Sequence, residues 1–88
     1  MKNNQEKSRF EIEENGLVTF ANYNIDGKKL VITHVEAPVE ARGTGSAGRL
    51  MQEVAQHAKD NSYSIVPVCG YAAVWLKRSA EFKGLIAS

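Results

Sequence analysis

The feature that most limits the fold of this chain is a change of hydrophobic period near Pro38. Before it, apolar and polar side chains alternate, as a half-buried strand requires. Phe10 and Ile12 stand against Arg9, Glu11 and Glu13, and the alternation stops at Asn15-Gly16, a favoured pair for a two-residue hairpin turn. Residues 17–25 run to a second hairpin signal, Asp26-Gly27, and the β-branched stretch 28–35 follows as a third strand. After Pro38, Ala47, Leu50, Met51, Val54 and Ala58 recur at helical spacing, with Arg49, Glu53, Gln56, His57 and Asp60 opposite, which predicts an amphipathic helix ending near Asn61. "SIVPV" at 64–68 reads as a short buried strand. "YAAVWLKR" at 71–78 reads as a short helix turning Tyr71, Val74 and Trp75 inward, and the tail should tuck Phe82, Leu85 and Ile86 onto the core.

The expected architecture is α/β (α+β): an antiparallel three-stranded meander, a β-α-β unit and a short C-terminal helix. The crossover should be right-handed and its two strands parallel, so that their C-terminal ends share one edge. That edge collects residues 34–36, the glycine-rich stretch before the long helix, and Cys69-Gly70-Tyr71, where open sheets of this kind bind ligands.

Length and charge narrow the reading further. A chain of 88 residues has room for one domain with a thin core, which excludes a two-domain enzyme. Eleven basic and ten acidic residues leave a net charge of +1, so the overall balance points to no polyanion and disfavours nucleic acid. No run approaches the roughly 18 apolar residues of a membrane span, and residues 1–8 are polar. These features lead us to expect a soluble, cytoplasmic protein, a monomer or weak dimer, with residues 1–8 as a disordered tail and 9–88 as a single domain. The lone Cys69 cannot form an internal disulfide, and with only His34 and His57 beside it a metal site is not expected.

The glycine-rich stretch is the chemical signal. Gly43-Thr44-Gly45-Ser46-Ala47-Gly48 spells G-x-G-x-x-G, yet seven residues, including Pro38 and two glutamates, separate Gly43 from Val35, and no carboxylate follows at the ribose position. No Gly-Lys-Ser/Thr triplet ends the turn, so a P-loop is also excluded. What is left is a glycine-rich helix start whose free amides and dipole favour an anion, or a helix start eased by glycine with no ligand at all.

Arg42-Gly43-Thr44-Gly45-Ser46-Ala47 is similar to the (Gln/Arg)-x-x-Gly-x-(Gly/Ala) motif of the GNAT superfamily of N-acetyltransferases. From His34 to Phe82 the chain also resembles the small GNAT family called the YjdJ type: His-x-x-x-Pro, then Arg-Gly-x-Gly-x-Ala, a helix, and a Val/Ile-x-Pro-x-Cys-x-Tyr strand end. The resemblance extends over about Arg9 to Ile86. It implies a minimal GNAT-like fold without the usual first helices, acetyl-CoA bound where two parallel strands splay apart, and transfer of the acetyl group to an amine. It also implies a pyrophosphate held by Arg42, Gly43, Thr44, Gly45, Ser46, Ala47 and Gly48, further cofactor contacts at Val35 and Tyr71, and a candidate catalytic cysteine at Cys69. Pro67 fits independently, since proline cannot donate to a ladder. One departure is Ser79-Ala80, where relatives often carry His-Pro; it puts a local turn or a substrate contact in doubt.

Each candidate has a plainer reading. Cys69 precedes a helix whose N-terminus could lower a thiol pKa, either to carry the acetyl group or to line the cleft and protonate a leaving thiolate while an amine attacks directly; otherwise it is a small buried hydrophobe. His34 alternates with Leu30 and Ile32, so it is a catalytic base or a core histidine. Glu36 is a second candidate base or solvated loop charge, and His57 is read as surface. Tyr71 has a core-aromatic reading, and Lys77 and Arg78 suit the end of the last helix or the 3′-phosphate of CoA. A CoA-binding module without turnover, an accessory subunit, and a small interaction domain with a vestigial turn stand as the alternatives to an enzyme.

Overall fold

A computed structural model describes residues 1–87. Strands β1 (Lys2–Asn4), β2 (Arg9–Glu14), β3 (Leu17–Asp26), β4 (Lys29–Glu36) and β5 (Ser64–Pro67) form one five-stranded sheet in sequence order. The first four are antiparallel and β5 runs parallel to β4. Asn15 and Gly16 both adopt positive φ, 54° and 76°, as the tight turn between β2 and β3 demands, and this sets Glu14 opposite Leu17 and Phe10 opposite Ala21. Helix α1 (Ser46–Asp60) makes the crossover and α2 (Gly70–Arg78) follows β5. Leu50, Met51 and Val54 of α1 and Leu76 of α2 join Phe10, Leu30, Ile32, Ile65 and Phe82 in one buried core. Full burial of each such side chain is worth about 1.5–3 kcal/mol, which makes this cluster the main stabilising contribution. The meander, the β-α-β unit and the short last helix are therefore all present.

Three expectations need correction. Residues 1–8 do not trail off as a disordered tail: β1 pairs with β2, and the Tyr23 amide donates to the Ser8 carbonyl at 3.0 Å. The segment has no apolar side chain to bury beyond Met1, but β2 presents an unpaired row of amides and carbonyls, and polar side chains add to the pairing. The Tyr23 hydroxyl donates to Asn3 Oδ1 at 2.7 Å, and Asn4 donates to Glu11.

The second correction is the face of α2. Ala72 and Leu76 are its fully buried residues, while Tyr71 and Val74 are exposed and Trp75 is half-buried against Phe82. Nearly every position from 71 to 76 is apolar, so two faces satisfied the same helical spacing, and the small alanine is the one that lets the helix approach the sheet.

The third concerns His34. Ile32 pairs with Tyr23 but His34 pairs with Asn22, leaving Thr33 unopposed as a bulge. The extra residue breaks the alternation, so Val35 returns to the core and His34 stands exposed on the other face of the sheet. It is not a core histidine.

The tail behaves as read: Phe82 is fully buried, Leu85 and Ile86 pack on the core, and Ile86 bridges to Ile65 along the free side of β5. Polar β1 closes one edge of the sheet and the tail the other. Tyr23→Phe keeps the ring stacked on Phe10, 4.4 Å away, but removes the bond to Asn3. It should cost about 1 kcal/mol in chemical denaturation and lower amide protection in β1 while leaving β4 protected. Unchanged protection at residues 2–4 would contradict the pairing.

Candidate functional site

The site begins where β4 and β5 part. Their pairing runs from Lys29↔Ser64 to Ile32↔Pro67 and stops there. The Ile32 carbonyl accepts from both Val68 and Cys69, at 2.9 and 3.2 Å, as the chain turns away into α2, and Pro67 lies at this last pair. Residues 34–36 of β4 keep β3 as a partner but have none on the β5 side. The bulge at Thr33 falls at this same point. Val35, half-buried against the core, lies in this one-sided stretch.

Beyond β4, a 3-10 turn (Val39–Ala41) leads into the glycine-rich stretch. Gly43 and Gly45 have φ of +83° and +88°, the left-handed region that side chains rarely enter. Gly45 caps α1 with no side chain of its own, and the Thr44 hydroxyl donates to the Ala41 carbonyl and accepts from the Ser46 amide at 3.4 Å. Among the described residues, the amides of Ala47 and Gly48 meet no acceptor in the protein. Residues 42, 43 and 45–48, with Ala37, Ala41 and Tyr71, line a cleft of about 320 Å³ in front of them. Free first-turn amides, the positive end of the helix dipole and the exposed Arg42 guanidinium together favour a bound anion. The Ser46 hydroxyl is not part of that surface: it is buried and hydrogen-bonded to the Thr19 hydroxyl at 3.1 Å. Ser46 can offer a ligand its backbone alone.

Cys69 occupies the N-cap of α2, half-buried against the core, as the sequence places it at the strand end. It does not line the cleft of the turn. Its neighbour Tyr71 does, and the Tyr71 hydroxyl is pushed above its ordinary pKa by burial and, secondarily, by negative charge on Cys69. The Tyr71 hydroxyl also lies 3.8 Å from where a Cβ on Gly48 would be, an ordinary contact distance. On its far side Tyr71 joins Val74, Trp75, Arg78 and Ser79 around a second cleft of about 440 Å³. Lys77 and Arg78 sit in the last turn of α2, where positive charge is favourable.

His34 and Cys69 are not brought together. The His34 ring meets the Glu36 carboxylate at 3.1 Å and lies edge-on to Phe20, both groups half exposed on the face away from the core. Among the described residues no cluster of histidine, cysteine and carboxylate could hold a metal, and no helix is long and apolar enough to cross a membrane.

Sequence reading missed Thr19, Glu14 and Arg49. Arg49 donates from Nε and Nη2 to the Glu14 carboxylate, 2.7 Å each, across 35 residues of sequence. Nothing local in the sequence signals such contacts; only an unexpected threonine at an inward strand position hinted at a buried polar partner.

The two glycines of this surface should respond oppositely to alanine. Gly45→Ala forces a Cβ into left-handed backbone, at 3.0 Å from Arg49 Nη1, and should cost about 1–2 kcal/mol. Gly48→Ala meets only ordinary contacts, 3.6 Å from Trp75 Nε1 at the nearest, and should stabilise by about 0.5–1 kcal/mol through reduced backbone entropy. Thermal denaturation of the two variants checks this; a stabilising Gly45→Ala would contradict the turn geometry.

Compared with known protein families, residues 9–85 match the family described as GCN5-related N-acetyl-transferase. The match takes in every strand from β2 onward, both helices, the parting of β4 from β5 and the glycine-rich turn. The chain belongs to the GCN5-related N-acetyltransferase family.

Proposed function

We propose that this protein binds acetyl-CoA at the parting of β4 and β5 and transfers its acetyl group to an amine. The observation that carries the reading is the turn at 42–48, where the amides of Ala47 and Gly48 at the start of α1 have no protein acceptor and the same residues line the 320 Å³ cleft. The residues fit the cofactor. The amides of Ala47 and Gly48, the close backbone at Gly43 and Gly45, and the Arg42 guanidinium would hold the pyrophosphate. The second cleft shares Tyr71 and reaches Arg78, which suits the phosphorylated nucleotide end. Residues 33–36, with Val35 among them, offer strand backbone without a β5 partner to the amide-bearing arm. Bound there, the cofactor supplies an activated thioester acetyl group.

The protein's own groups handle protons. Cys69 stands at the acetyl end, at the head of α2, where its thiol can protonate a leaving thiolate or accept the acetyl group. An amine has to lose a proton before it attacks. His34 and its partner Glu36 leave β4 on the face opposite the core, so an amine that they deprotonate has to approach from that face. The resemblance to the YjdJ type supports the role given to Cys69.

A second reading, a CoA-binding module without turnover, is favoured by the separation of His34 from Cys69 and by the absence of Cys69 from the lining of the turn cleft. Calorimetry and turnover of Cys69→Ala separate the two. With a catalytic cysteine, acetyl transfer to a panel of amines should fall by about 100-fold or more while acetyl-CoA affinity is kept. Full activity in the variant would remove Cys69 from the chemistry, and binding without transfer in the parent would establish the module.

A further inference from the structure

The cofactor turn has two side-chain ties to a part of the sheet that takes no other part in the site. Thr19 and Ser46 are the buried polar residues among those described, exposed by 1% and 2%, and they bond to each other at 3.1 Å. Thr19 lies on β3, and Ser46 is the first residue of α1. The second tie runs from Glu14, the last residue of β2, to Arg49, one turn into α1, through two parallel bonds of 2.7 Å. A bidentate pair fixes orientation as well as distance. The guanidinium it fixes lies against Gly45, with Nη1 3.0 Å from the position a Cβ would take, and the Arg49 amide donates to the Gly45 carbonyl at 3.0 Å. Both ties therefore reach the helix cap, one through Ser46 next to Gly45 and one through Arg49, whose guanidinium lies against Gly45.

Such anchoring answers a specific need. Gly43 and Gly45 each lose more backbone entropy on ordering than any other residue type would, and Gly45 brings no side chain to cap the helix. The amides of Ala47 and Gly48 stay without a protein acceptor beside the cleft only while α1 begins at this residue. The Asn15-Gly16 turn, both residues at positive φ, rigidly joins the strands that carry Glu14 and Thr19.

We infer that the β2–β3 hairpin acts as a clamp on the cofactor turn, with Thr19 and Glu14 as positioning residues that hold residues 45–48 ready for phosphate through Ser46 and Arg49. The inference rests on the reading that this turn takes the pyrophosphate of acetyl-CoA, and it assigns to the meander a part in binding.

The test compares Thr19→Val, Thr19→Ser and Glu14→Gln with the parent, by calorimetric titration with acetyl-CoA and with inorganic pyrophosphate, and by amide exchange of the ligand-free proteins. Thr19→Val keeps the shape and loses the bond; Thr19→Ser keeps the bond. The clamp requires binding of both ligands to weaken about three- to fivefold in Thr19→Val and in Glu14→Gln, the scale of one lost tie, and to recover in Thr19→Ser. It also requires faster exchange at residues 45–48 before any ligand is added, with the C-terminal half of α1 unchanged. Lowered melting temperatures with parental affinity and parental exchange at the turn would make the ties merely structural and overturn the inference while the cofactor reading stands, as would tighter binding in Glu14→Gln. A parent protein that binds neither ligand overturns both.

Discussion

The parting of β4 from β5 is the constraint on which the rest of the structure depends. A parallel pair that stayed hydrogen-bonded to its end would leave no backbone for a ligand and no break in the sheet. The ladder ends at the Ile32 carbonyl, which accepts from two successive residues, Val68 and Cys69, as the chain turns into α2. The bulge at Thr33 makes the same decision on the other strand, bending β4 and sending His34 and Glu36 to the outer face. One small break thus sets the starts of both helices beside the same opening and divides the site between two faces of the sheet.

A break of this kind needs rigid surroundings, and an 88-residue chain has little core to spare. The core is concentrated under α1, where Leu50, Met51 and Val54 lie fully buried against Leu30, Ile32 and Ile65. Phe82 then closes the end of the layer and stacks beside Trp75. The edges are handled by pairing rather than burial, β1 along β2 and the tail along β5. The polar composition of residues 2–4 suits an edge that does not recruit further strands.

The order of elements was legible in the sequence because it rests on local chemistry. Period-two alternation gave the meander, Asn15-Gly16 and Asp26-Gly27 gave its turns, and a clear apolar stripe gave α1. The place of Cys69 at the head of α2 and of the glycine-rich stretch at the head of α1 followed from the same signals. What escaped depends on distant partners. A bulge has no composition of its own, so His34 was read one face wrong. Residues 71–76 are apolar on every side, so the buried face of α2 was decided by how closely Ala72 lets it approach. The strand at residues 2–4 exists because β2 offers an edge, and the contacts of Thr19 and Arg49 link positions 27 and 35 residues apart. The family, by contrast, was reached through the resemblance of the motif and the strand end, which both lie within the match over residues 9–85.

The central claim is that the turn at 42–48 is a phosphate site belonging to acetyl-CoA. The most direct measurement is a titration of isotope-labelled protein followed through its backbone amide resonances, with acetyl-CoA as ligand and NAD as control. Saturable shifts concentrated at residues 42–50 and around Cys69 are expected with acetyl-CoA, and none of comparable size with NAD. Unmoved resonances at millimolar acetyl-CoA, or equal shifts with NAD, would contradict it and reduce the glycine-rich turn to a helix start without a ligand.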